Sequence, residues 1–265
     1  MNGKSGNIRA KLLPAGVFCL IVLIWWGLSA TGIVPAYMLP SPPDVVNAFI
    51  RDFPNLMTHA YVSVSEAIYG LLIGMVLAFA LACAMERFFT LEQAVLPLLV
   101  VTQTIPTIAI APLLVLWMGF GMAPKIMLVV ITTFFPIAVG LLDGFKSADP
   151  DAVALLRSMN ATRVQIFRHV KMPAALPFFF SGLRISASYA VVGAVIAEWL
   201  GGFEGLGVYM TRVRKAYAFD KMFAVILLIV IISLLLMKLV NVIKAVSMPW
   251  LRYRPETAGQ RPYEG

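Results

Sequence analysis

The stretch ALLRSMNATRVQIFRHVKMPAALP, residues 154–177, is basic and amphipathic, yet it lies between two long runs that are almost purely apolar. Four cations, Arg157, Arg163, Arg168 and Lys171, sit in a chain that otherwise avoids charge. Composition explains the surroundings. With 60% hydrophobic and 13% charged residues and a mean hydropathy of +0.88, the chain lacks the polar surface needed to cover a water-soluble globule of 265 residues. The expected fold class is therefore all-α, a polytopic membrane protein. The formal charge of +8 then reads first as a topology signal, and no nucleic-acid partner is expected.

A bilayer core of about 30 Å takes about 20 mostly apolar residues per helix. Working outward from the basic stretch with that ruler gives six spans: Leu12 to Thr31, Ala60 to Met85, Gln93 to Met118, Pro124 to Leu142, Ala174 to Leu200 and Met222 to Val246. The first run has the basic start of a secretory signal but is long for one, so it reads as a span. The second carries Gly70 and Gly74 at a spacing that lets another helix come close. The third is interrupted by Pro97, Pro106 and Pro112.

Basic residues between spans set the orientation. Lys4, Arg9, Lys11, Arg87, Lys146, the four cations of the opening stretch, Lys244, Arg252, Arg254 and Arg261 fall on one side. Arg51, Lys125, Arg212, Arg214, Lys215 and Lys221 fall on the other. The larger group marks the cytoplasm, which places both termini there. The loop TRVRKAYAFDK, residues 211–221, runs against the rule. Residues 1–11 read as a cytoplasmic N-terminus, 12–246 as the membrane domain with a loop at 143–173, and 247–265 as a cytoplasmic tail. Polarity and Pro/Gly content make that tail a candidate for disorder.

The opening stretch is thus a cytoplasmic loop. Leu155, Leu156 and Met159 form a short apolar face, Asn160 interrupts, and Val164, Ile166, Phe167 and Val170 resume on a second short helix with Arg163 and Arg168 on its other side. Asn tolerates the left-handed conformation, so a tight corner is expected at Asn160. Pro173 and Pro177 punctuate the start of the fifth span. Such a hairpin either lies on anionic headgroups or docks a soluble protein.

The stretch resembles the EAA loop of permease subunits of bacterial ATP-binding cassette (ABC) importers, with Ala154 where that family has Glu and Asn160 where it has Gly. The resemblance runs from about Leu39 to Ile232 through LPSPPDVV, QTIPTIAIAPLLVLWMGFG, FFPIAVGLLDGFKSADPD, FFFSGLRISASYAVVGAVIAEWLGG and EGLGVYM. These motifs are similar to the branch that moves nitrate, taurine, sulfonates and thiamine precursors. Their wording is nearest to permeases for formylaminopyrimidine or riboflavin. The resemblance implies a bacterial inner-membrane protein of the type I importer fold that pairs with a second permease copy. It also implies two ATP-binding subunits below, which hold the ATP and Mg, and an extracytoplasmic substrate-binding protein. Residues Leu155, Leu156, Met159, Asn160, Val164, Phe167, Val170 and Pro173 would then couple the membrane domain to the ATPase.

The chain itself offers no catalytic or nucleotide-binding set. GKS at residues 3–5 lacks the first glycine and the strand of a phosphate loop, and GGFEGLG at 201–207 follows an apolar helix and reads as an external turn. Cys19 and Cys83 lie in apolar runs, and His59 and His169 are isolated, so no metal site or cofactor is expected. An ion-coupled secondary carrier is the rival class. It would want two homologous halves and a midplane carboxylate site, neither of which is visible.

Within the spans, a charge at the bilayer centre costs on the order of 3 kcal/mol, so Arg184 and Glu198 need shielding. They are about 21 Å apart along one helix and cannot pair. Arg184 is expected to contact carbonyls or a carboxylate such as Glu66, and Glu198 to sit at the external interface. Gln103, Thr104 and Thr107 beside Pro106, with Ser186, Ser188 and Tyr189, are the candidate pathway lining, better suited to a neutral heterocycle than to a small anion. Trp25, Trp26, Trp117 and Trp199 read as interface anchors.

Overall fold

The computed structural model describes residues 3–250 apart from positions 33 and 36, and side chains from Leu13 onward apart from Ala15. The expected tail beyond 250, and the side chains of Lys4, Arg9 and Lys11, lie outside the described residues. Among the described residues every regular element is helical: α1 (Gly3–Ala30), α2 (Pro42–Arg51), α3 (Phe53–Arg87), α4 (Phe89–Thr104), α5 (Thr107–Met118), α6 (Ala123–Lys146), α7 (Pro150–Ser158), α8 (Arg163–Ile166), α9 (Met172–Gly201), α10 (Leu206–Lys215) and α11 (Phe219–Ser247). A five-residue π-helical turn, Phe167–Lys171, joins α8 to α9.

Among the described residues four helical stretches are long and apolar enough to cross a membrane: α3, α6, the continuous Arg163–Gly201 and α11. The pair α4 and α5 makes a fifth, and the shorter apolar segment Gly16–Ala30 of α1 stands where the first span is expected. The third span is not one helix. It bends by 100° between α4 and α5. Of its three prolines only Pro106 breaks it, with Ile105 extended (φ −82°, ψ 121°), as sterics favour for a residue preceding proline. The fifth span also departs from expectation, because Pro173 does not end the preceding helix. Met172 N–H reaches back to the Phe167 carbonyl, one residue further than in an α-helix, and this widened turn accommodates the proline ring.

The core is the packing of α3, α6 and α9, with α11 alongside. Its contacts are made largely by small residues: Ala67, Ala78, Ala82, Ala138, Ala175, Ala187, Ala190 and Ala194. Without a hydrophobic driving force between helices in lipid, close backbone approach supplies the attraction. Gly70 and Gly74 serve this purpose. A Cβ at Gly70 would fall on Val129, and one at Gly74 would come within 2.5 Å of Thr133 Oγ1. α3 begins seven residues before the expected span because Leu56 and the residues around it pack on α10 and α11, not on lipid.

Ion pairs mark the two ends of the bundle. Lys171–Glu86 (2.5 Å) and Lys146–Glu92 (2.6 Å) tie α3, α4, α6 and the π turn together near residues 147–171, the elbow end. At the other end three of the six basic residues that run against the charge asymmetry have partners. Lys125 is buried against Glu66, Lys221 lies 3.6 Å from Asp52, and Arg212 donates to the Phe203 carbonyl at 2.7 Å.

Candidate functional site

The elbow is built from three local signals. Asp149 caps α7 by accepting from Asp151 N–H at 2.9 Å, with Pro150 in the first turn. At the other end of α7, Asn160 takes φ 58°. Asn160 N–H donates to the Arg157 carbonyl and Ala161 N–H to the Leu156 carbonyl, the paired closure that a left-handed residue permits. Thr162 and Gln165 then cap α8 reciprocally: Thr162 N–H donates to Gln165 Oε1 at 2.7 Å and Gln165 N–H to Thr162 Oγ1 at 3.3 Å. That T-x-x-Q signal stands in the sequence and marks the start of the second helix.

These caps fix which apolar groups point away. Leu155 (62%), Met159 (69%) and Val164 (74%) are exposed, whereas Ile166 is buried and Leu156, Phe167, Val170 and Pro173 are half-buried. Phe167 packs on Phe145 of α6 with ring centroids 5.2 Å apart. The expected single face of Val164, Ile166, Phe167 and Val170 is therefore split, because residues two apart cannot share a helix face. Beside the exposed side chains lies a cavity of about 760 Å³ bordered by Cys83, Glu86, Arg157, Arg163 and Val164. Asn160→Gly is expected to leave the elbow intact. Asn160→Val is expected to cost it about 1–2 kcal/mol through the left-handed φ, seen as faster limited proteolysis after residue 157.

The expected pathway residues divide likewise. Gln103 and Thr107 at the α4–α5 bend meet Tyr189 of α9 in a groove of about 330 Å³, where Thr132 and Gly193 join them. Thr132 and Gly193 were not singled out from the sequence, and only the register of α6 against α9 brings them there. Thr104 turns its hydroxyl to the Val101 carbonyl. Ser186 does not line the groove: it is buried and donates to the Thr133 carbonyl at 2.7 Å, joining α9 to α6. Ser188 borders a neighbouring cavity with Arg184.

At the end opposite the elbow, buried charge organises the turn between α9 and α10. Glu198, three residues from the end of α9, is 1% exposed. Its carboxylate accepts from Ser63 Oγ at 2.5 Å and from Gly207 N–H at 2.6 Å. Ser63 Oγ in turn accepts from Leu206 N–H at 2.8 Å, and His59 Nδ1 from Gly205 N–H at 3.1 Å. Gly205 takes φ 124°, and a Cβ there would fall on the Glu198 carboxylate. Lys125 Nζ donates to Glu66 Oε1 at 2.6 Å and lies 3.5 Å from the Glu204 carbonyl. Glu66 is thus engaged by Lys125, not by Arg184, which is exposed on another face of α9. The GGFEGLG segment is a turn, pinned to α3 and α6 by groups far away in sequence.

Residues 70–253 match the family described as binding-protein-dependent transport system inner membrane component. The chain is 36% identical to a probable ABC transporter permease protein of Haemophilus influenzae, over 93% of this chain and 98% of the relative. It is 37% identical to the formylaminopyrimidine transport permease protein ThiX of Halalkalibacterium halodurans, over 91% and 96%. Among solved structures, it shares its fold with the inward-facing MetNI methionine ABC transporter (TM-score 0.64, 18% identity, 74% of this chain and 97% of that one). The helical architecture, the broken span and the capped elbow thus accompany a sequence match over most of the length, and the chain belongs to the family of binding-protein-dependent transport system inner membrane components, the permease subunits of ABC importers.

Proposed function

We propose that this permease moves a small neutral heterocycle, a pyrimidine precursor of thiamine, through a pathway formed with a second copy of the chain. ATP and Mg are held by separate ATP-binding subunits, and an extracytoplasmic binding protein delivers the solute. In this reading both termini are cytoplasmic, residues 12–246 form the membrane domain, and the elbow at 143–173 is the contact for the ATPase. Leu155, Met159 and Val164 make that contact, while Leu156, Asn160, Phe167, Val170 and Pro173 hold its shape. ATP-driven closure of the ATPases pushes the elbow, and the rigid helix from Arg163 to Gly201 carries the push to the α9–α6 core.

The observation that favours a neutral solute is the groove at the α4–α5 bend, where Gln103, Thr107, Thr132 and Tyr189 supply hydrogen-bonding groups and no charged side chain lines the wall among the described residues. A broken helix leaves backbone groups free to line a cavity. The similarity to a formylaminopyrimidine permease points the same way. In proteoliposomes holding the complex with its ATPase and binding protein, Tyr189→Ala and Gln103→Ala are expected to reduce ATP-dependent uptake of formylaminopyrimidine about tenfold, one lost hydrogen-bonded contact each, with basal ATPase retained. A binding protein that takes taurine, a sulfonate, nitrate or riboflavin and ignores the pyrimidine would remove the substrate assignment while leaving the permease role intact.

A further inference from the structure

Four lysines of this chain, Lys125, Lys146, Lys171 and Lys221, each have a carboxylate partner. Arg184 and Lys244 have no ion pair among the described residues, and they border the same cavity, of about 460 Å³, between α9 and α11. The two helices build it from matching registers. α9 contributes Ser181, Arg184 and Ser188, and α11 contributes Asn241 and Lys244, in each case residues three, four or seven apart that share a face. Tyr189 closes it on the side of the neighbouring groove. Ile185 and Met237 form its apolar wall. The cavity lies toward the elbow end, since Lys244 is in the last turn of α11 and Met248 just beyond it packs with Phe145 and Ala175.

The geometry points to an oxyanion site here, for a phosphate- or sulfonate-type group. An arginine within a membrane helix calls for a partner charge or a polar cavity, and among the described residues no acidic side chain lines this one. A guanidinium offers a planar fork that matches such a group, a lysine adds a mobile point charge, and the Ser181, Ser188, Tyr189 and Asn241 side chains can donate to its remaining oxygens. Ile185 and Met237 give an organic substituent on the oxyanion an apolar surface to lie against. Two sources share this chemistry: the headgroup of an anionic phospholipid, for which a basic pocket between membrane helices is suited, and a soluble organic anion. This site adjoins the proposed pathway groove, with Tyr189 on the wall between them, and does not depend on which solute is moved.

The test uses the complex of this chain with its ATP-binding subunits. In nanodiscs of mixed phosphatidylcholine and phosphatidylglycerol, lipid retained after detergent extraction is counted by native mass spectrometry. A lipid occupant gives wild-type enrichment of phosphatidylglycerol that falls at least fivefold in Arg184→Gln and in Lys244→Gln. In a second arm, delipidated complex is titrated with inorganic phosphate and with methanesulfonate while thermal unfolding is followed. A saturable upward shift that is lost in both variants assigns the site to a soluble anion. Lys244 is half-buried near a helix end, so Lys244→Gln decides the question if Arg184→Gln does not fold. Equal phosphatidylglycerol retention in wild type and variant, with no response to either soluble anion, overturns the site.

Discussion

Leu155→Asp, and more so the double change Leu155→Asp with Met159→Asp, is expected to abolish substrate-stimulated ATP hydrolysis in the reconstituted complex while leaving the permease folded. Both side chains are largely exposed, Leu155 on a helix that has no buried residue of its own and Met159 at the C-cap of that helix, so the fold does not depend on them. Burying a leucine or methionine side chain against a partner contributes about 1.5–3 kcal/mol each, and a buried carboxylate without a partner charge opposes docking further. Together these amount to a loss of association of roughly a hundredfold or more. The measurement is ATPase rate with and without loaded binding protein, alongside size-exclusion chromatography of the permease. Leu156→Asp blurs the reading, because Leu156 is half-buried and its carbonyl closes the Asn160 corner. Retained stimulation in a folded double variant would show that the elbow does not dock the ATPase through this face.

The second large effect belongs to the opposite end of the bundle. Lys125→Met is expected to destabilise the permease by about 3–5 kcal/mol, the usual result of removing one member of a buried ion pair. The Lys125 side chain is 6% exposed and that of Glu66 1%, and Glu66 and Glu198 are near enough to influence each other. Without the ammonium, two buried carboxyl groups remain with no ion-pair partner among the described residues. Changing Glu66 to Leu together with Lys125→Met is expected to restore most of the loss, because an apolar pair of similar volume is often as stable as the ionic one. Glu198 keeps its Ser63 and Gly207 partners in that background. Thermal unfolding monitored by fluorescence-detected chromatography checks both variants. A Lys125→Met protein as stable as wild type would mean that the pair does not hold the α9–α10 turn.

The legible parts of this structure were the ones governed by short-range rules. Hydropathy located the second to sixth spans, the third as a bent pair, Asn160 marked its own left-handed corner, and Gly70 and Gly74 marked the close face of α3. The α4–α5 bend was harder, since three prolines stand in one apolar run and nothing local says that Pro106 alone breaks it. The buried charge network escaped for a different reason. Lys125 and Glu66 are 59 residues apart and Ser63 and Glu198 are 135 apart, so their pairing depends on how α3, α6 and α9 pack. Glu198 near the end of an apolar run therefore gives no sign of its burial until the α9–α10 turn folds over it. The split of the elbow's apolar residues was readable in principle, because Val164 and Ile166 are two apart on one helix.

The role of the elbow is tested most directly by cross-linking from its tip. Met159→Cys, in a background with Cys19 and Cys83 replaced by Ala, places a thiol at an exposed position that ends α7. When the chain is co-expressed with its ATP-binding subunit, the thiol is expected to cross-link to that subunit with a short bifunctional reagent, to change in yield with ATP, and to resist a membrane-impermeant maleimide in intact cells. Labelling of that thiol from outside the cell, or a folded complex in which no ATP-binding subunit is captured, would contradict the coupling role.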